Sequence, residues 1–125
     1  MEDSTSKLTI QLDLAKSRIR IHRKTLSALG NPEHIHLIVN PEEKTLGIIE
    51  ANPTASSAHR IKYNVGKQCQ ELYSTSLARQ LRRVMTNWVN GGKYLLSGDL
   101  KSDGTGVFPM TDAVHTATST PKYHD

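Results

Sequence analysis

The stretch QCQELYSTSLARQLRRVMTNWV, residues 68–89, decides how the chain is read. Tyr73, Leu77, Leu81, Val84, Met85 and Trp88 recur at intervals of three and four, with neither Pro nor Gly between them. The spacing predicts one long amphipathic helix over residues 68–89, ended by Gly91 and Gly92. Arg79, Arg82 and Arg83 share its other face, a compact cluster at helical spacing.

Upstream the period falls to two. Leu8, Ile10, Leu12 and Leu14 alternate with Thr9, Gln11 and Asp13; beyond the turn Ala15-Lys16-Ser17, Ile19 and Ile21 alternate with Arg18, Arg20 and His22. Two strands of a hairpin are expected. Leu26 and Leu29, three apart and followed by Gly30, predict one or two helical turns, which Asn31-Pro32 cannot continue. Ile35, Leu37 and Val39 then mark one face of a strand, Asn40 to Lys44 a turn, and Leu46 to Glu50 the returning strand. Residues 51–58 are small and polar and read as a loop, followed by a short extended piece at 60–65. Downstream, residues 94–100 and 106–110 flank Asp103-Gly104, a hairpin signal.

The expected fold class is therefore α+β: a β-β-α(short)-β-β sheet, then the long amphipathic helix, then a C-terminal β-hairpin. The 125 residues suit a single domain, 1–125, with a β-rich half at 1–50, the loop at 51–58, helix plus hairpin at 59–110 and a tail at 111–125. The tail, rich in Thr, Ser and Ala, is expected to be mobile or to reach a neighbouring subunit. Apolar residues are 36% of the chain, with one Phe and one Trp, so the core rests on Leu, Ile and Val. A core this thin borrows burial readily, which points to a homo-oligomer.

The net charge of +4 favours anionic partners. Cys69 is the only cysteine, which excludes an intramolecular disulfide and a cysteine-based zinc cluster. No run approaches the roughly 18 apolar residues of a membrane span, so no membrane partner and a cytoplasmic location are expected.

The densest basic run is Lys16, Arg18, Arg20, Arg23 and Lys24, on a strand and the first helical turn after it. Alternation sends Arg18 and Arg20 to one face, as a row able to bond phosphate oxygens or as a solvated face that protects an edge strand. His34 and His36 share one side of a strand, but no third metal ligand lies beside them. Cys69 with His59, and Ser74 with Ser76, lack any motif that would activate a nucleophile. Gly91 and Gly104 lack the Lys-Ser/Thr of a phosphate-binding loop. No catalytic residue, cofactor or metal is assigned. Arg79, Arg82 and Arg83 beside Tyr73 could form the wet face of a helix, or cations with an aromatic on which a nucleotide base stacks.

The segment RIRIHRKTLSALG, residues 18–30, followed by two strands around Asn40-Pro41-Glu42-Glu43-Lys44, resembles the AbrB-like swapped-hairpin module over about the first 50 residues. His22 stands where that family places Pro, and its Asp-x-x-Gly turn is absent. The resemblance implies two interlocked chains, with Lys16, Arg18, Arg20, Arg23 and Lys24 meeting DNA phosphates. Over most of its length the chain is similar to the phage Thoeris anti-defence 1 proteins: a β-rich first half, one following helix bearing Tyr73-Ser74 and the Tyr94-Leu-Leu-Ser-Gly98 hairpin near the end. That resemblance implies an oligomeric sponge that sequesters cyclic ADP-ribose-type signals or cyclic oligonucleotides in an infected bacterial host without cleaving them. The corresponding ligand-binding positions are Arg23, Tyr73, Arg83 or Asn87, and Lys101, with Arg20 and Lys24 alongside. Tyr73 and Lys101 replace the family's Phe and Arg. The expected function is thus non-enzymatic binding of a phosphate-bearing nucleotide signal, with DNA-binding regulation as the alternative.

Overall fold

The computed structural model describes residues 8–63 and 66–118. Alternation in the first third does what its period requires. In β1 (Leu8–Asp13), Leu8, Ile10 and Leu12 are buried, and in β2 (Arg18–His22) Ile19 and Ile21 are. The two pair antiparallel, Ile10 opposite Ile21. The turn between them is held by the Asp13 carboxylate, which accepts from the main-chain N–H groups of Ala15 (3.1 Å) and Lys16 (3.3 Å). Helix α1 (Arg23–Ala28) is capped by His22, whose Nδ1 accepts from the Lys24 N–H at 3.0 Å, and Gly30 leaves it in the left-handed region at φ 91°. Thr25 pins α1 to β1: its hydroxyl donates to the Thr9 carbonyl at 2.9 Å and accepts from the Thr9 N–H at 3.2 Å.

The hairpin of β3 (His34–Asn40) and β4 (Thr45–Glu50) follows, then the two-residue β5 (His59–Arg60), β6 (Cys69–Tyr73), α2 (Thr75–Val84), β7 (Gly92–Leu100), β8 (Gly106–Pro109), a 3-10 turn at Met110–Asp112 and β9 (Val114–Thr118). Hydrogen bonding orders the strands β5-β3-β4-β8-β7-β1-β2-β6, with β9 also on β7. The two hairpins of the first half are therefore separated in space by a hairpin from the second half. Ile21, Leu26, Ile35, Leu46, Ile48, Leu96 and Phe108 are fully buried in one cluster drawn from both halves. Burial of each such side chain contributes roughly 1.5–3 kcal/mol, so neither half holds its own share of the core.

The α+β expectation is overturned. Strands account for 44% of the structure and helices for 18%, in a nearly closed barrel-like sheet. The long amphipathic helix of residues 68–89 shrinks to the ten residues of α2. Residues 69–73 are instead a strand, because Gln70 and Leu72 alternate inward and β2 would otherwise present an unpaired edge. The helix starts where Ser74 caps it, its Oγ accepting from the Leu77 N–H at 3.1 Å. It ends at Met85 because Trp88 leaves the helical path to stack on Tyr94, ring centroids 4.3 Å apart. Residues 110–118 of the C-terminal region form the 3-10 turn and β9; residues 119–125 of the expected tail, and 64–65 of the extended piece, lie outside the described residues.

Candidate functional site

Because β5 stands at one end of the strand order and β6 at the other, the sheet has a seam where it fails to close. A cleft of about 570 Å³ fills that seam, lined by Arg60 and Lys62 on the β5 side, Lys67 and Gln68 before β6, all of β6, and Arg20 from β2. Its volume falls in the range of small-molecule sites.

The charges sort into two groups. On the outer face, a ladder of alternating sign crosses four strands. Lys93 of β7 lies 4.0 Å from Asp13 of β1; Asp13 is 3.3 Å from Arg18 of β2; Arg18 and Arg20 both reach Glu71 of β6, at 3.8 and 2.6 Å. Arg20 makes a two-point contact, donating from Nε at 3.1 Å as well. Its N–H groups hold the Glu71 carboxyl below the usual carboxylate range, and the same bond raises the Arg20 guanidinium. Arg18 and Arg20, which alternation alone offers to phosphates, thus already have carboxylate partners.

The second group consists of Arg60, Lys62 and Lys67. They form no ion pair and no side-chain hydrogen bond among the described residues, and all three are exposed on the cleft. Ile61 between the first two is buried and its N–H bonds the Glu33 carbonyl at 2.8 Å, so the chain here continues the β3–β5 ladder. Tyr73, 59% exposed, presents its ring at the other end of β6, the hydroxyl donating to Glu71 at 3.3 Å. Gln70 is only 8% exposed, lines the cleft, and its side-chain amide has no hydrogen-bond partner among the described residues. A buried amide in that condition is an open demand for a ligand group or solvent.

Of the residues singled out from the sequence, Arg20 and Tyr73 line the cleft, and Arg23 borders it through a 3.4 Å bond to the Lys67 carbonyl. The others lie elsewhere. Lys24 flanks a separate hollow beside α1 with Leu8 and Thr25; Arg83 lines another with Val39 and Pro41; Asn87 follows α2; Lys101 opens the β7–β8 turn, its N–H bonded to the Thr105 carbonyl. Arg82 donates to the Leu14 carbonyl at 2.9 Å and so ties α2 to the β1–β2 turn. Sequence reasoning missed Arg60, Lys62, Lys67 and Gln70. The Arg60-Ile61-Lys62 alternation was a visible signal, but only closure of the sheet sets it opposite Lys67 and β6.

Among the described residues no group of three or more His, Cys, Asp or Glu could hold a metal ion, and no helix is long and apolar enough to cross a membrane. His36 contacts Ser57 at 3.2 Å, and burial together with His36 lowers the pKa of His59. No family model, no curated protein and no solved structure matches the chain.

Proposed function

We propose that the chain binds, without transforming it, a phosphate-bearing small molecule of the nucleotide type in the β5–β6 cleft. The observation that carries this reading is the convergence of Arg60, Lys62 and Lys67 on one cleft with no carboxylate partner among the described residues. Two lysines act as point charges, and Arg60 offers a planar fork to phosphate oxygens. Tyr73 adds an exposed ring on which a base can stack. The duplex-binding alternative draws less support, since Arg18 and Arg20 of its phosphate row are engaged with Asp13 and Glu71.

Titration calorimetry with a cyclic ADP-ribose isomer, a cyclic dinucleotide and ADP, beside adenosine as the uncharged control, tests the reading. Binding of a phosphate-bearing member should weaken as salt rises and fall at least tenfold, about 1.4 kcal/mol, in Lys62→Glu, with the melting temperature unchanged because Lys62 is exposed. Ligand released by heat should be chemically intact. Equal binding of adenosine, or no response to Lys62→Glu, would refute the assignment; recovery of a hydrolysed product would make the protein an enzyme.

A further inference from the structure

The two walls of the cleft are strand edges, and their main chain carries information that the side-chain charges do not. Along the β2–β6 ladder the Arg23 N–H donates to the Gln68 carbonyl at 2.8 Å and the Ser74 N–H to the Ser17 carbonyl at 2.9 Å. Both pairs continue the register in which Arg18 faces Tyr73 and Ile21 faces Gln70. In an antiparallel ladder, bonded and non-bonded pairs alternate. Residues 68, 70, 72 and 74 therefore spend their main-chain groups on β2, while Cys69, Glu71 and Tyr73 turn N–H and C=O into the seam. Across the cleft the same count applies: Ile61 bonds Glu33 and His59 pairs with Ile35, which leaves the main chain of Arg60 facing the seam.

The β6 edge thus repeats a donor and an acceptor every two residues, about 6.8 Å apart. A phosphate would meet the donors and be repelled by the carbonyls between them. An extended peptide backbone matches both. We infer that the seam also accepts an extended, acidic peptide segment, which adds to the sheet as a strand on β6 and places carboxylates against Arg60, Lys62 and Lys67. The buried amide of Gln70, itself a donor and an acceptor, supplies a peptide-like partner at the middle of that edge.

Charge selects the occupant. Glu71 is bonded to Arg20 and the remaining lining charges are positive, so an acidic segment is attracted. A second copy of this chain would bring the same three cations against their equals, which disfavours pairing of β6 with β6. The inference goes beyond the nucleotide reading, since it rests on main-chain geometry and requires only the cations in common with it; the two ligands should compete.

The test uses a fluorescently labelled, end-capped hexapeptide of alternating aspartate and valine, followed by anisotropy. Saturable binding is expected, weakened at least tenfold by Lys62→Glu. The peptide is then N-methylated on alternate amides in its two possible phases. One phase should lose at least tenfold in affinity relative to the other, because only one set of amides faces β6. In the protein, Cys69→Pro removes one seam-facing donor at the first residue of an edge strand, where proline is tolerated. It should weaken the peptide at least tenfold more than the nucleotide, while Cys69→Ala, which keeps the donor, should show no such difference. Equal affinity of both methylated peptides, or nucleotide binding without peptide binding, overturns the inference and leaves the nucleotide reading standing. Peptide binding without nucleotide binding sinks the nucleotide reading alone. Self-association abolished by Cys69→Pro, with no peptide binding, would assign the edge to a second copy and overturn the inference too.

Discussion

Gly98→Ala should unfold this protein more readily than any other single methyl addition to its strands. Gly98 faces Leu8 of β1, and the next residue, Asp99, begins the pairing of β7 with Val107 of β8. At this handover Val107 and Phe108 of β8 lie close to the Gly98 backbone. A Cβ on Gly98 would lie 2.6 and 2.8 Å from Cδ2 and Cγ of Phe108, and nearer still to the Val107 carbonyl oxygen. The ring must retreat by the better part of an ångström to reach ordinary contact, yet Phe108 is fully buried and the carbonyl belongs to the backbone. Overpacking of this kind costs about 1–3 kcal/mol, and rigid neighbours place it at the upper end. Replacing glycine returns about 0.4–1 kcal/mol by restricting the unfolded chain. The net loss is about 2 kcal/mol. With an unfolding entropy near 0.26 kcal/mol/K for this length, the melting temperature should fall by about 8 °C. Gly47→Ala is the matched control: its Cβ meets Ile38 O at 3.7 Å and Gly106 O at 3.8 Å, ordinary contacts, so stability should hold or rise slightly. Calorimetry, with urea unfolding followed through Trp88 fluorescence, reads both. A Gly98→Ala protein that melts with the wild type, or a Gly47→Ala protein that loses as much, would refute the packing argument.

Ser74→Ala removes the cap that starts α2 and should cost about 1 kcal/mol in urea unfolding; Ser74→Asp should restore most of it. Thr25→Val keeps the shape but strips the Thr9 N–H and carbonyl of their shared partner, and a loss of about 1–3 kcal/mol is expected, where a neutral result would mean that α1 is not anchored there. His59 has a lowered pKa, first from burial and then from His36, so the folded state binds fewer protons than the unfolded one once pH drops toward 6.5. Its contribution is complete above the unfolded value and is lost as pH falls through the folded one. Melting temperature should therefore decline between pH 7 and pH 5, and His59→Gln should flatten that decline.

The elements legible in the sequence are those whose pattern and partner lie close together in the chain. β1 and β2 show clean alternation around an Asp13 turn, α1 ends on a glycine with a left-handed backbone, and the hairpins at Asn40 to Lys44 and Asp103-Gly104 carry their own turn residues. Residues 68–74 satisfy two periods at once. Leu72 fits a strand and Tyr73 fits the helical stripe of Leu77 and Leu81, and only Ser74, a capping residue, marks the change. β9 gave no periodic signal because Val114 to Ala117 are exposed, so no face of it is buried.

By itself the sequence determined the local pieces: which residues alternate, where turns fall, that the charge is basic and that one cysteine supports no cluster. The tertiary structure decided their use. The edge of β2 takes residues 69–73 as a strand because the pairing satisfies the open backbone groups of β2 and buries Gln70 and Leu72, a gain invisible to helical spacing. The same closure, left incomplete between β5 and β6, sets Arg60 and Lys62 across from Lys67 and β6, and turns Arg18 and Arg20 toward Asp13 and Glu71. Which arginines are satisfied and which cations stay open depends on pairings such as Arg20 with Glu71, 51 residues apart in the chain, and Arg82 with Leu14, 68 apart, and long-range pairing leaves no local period to read.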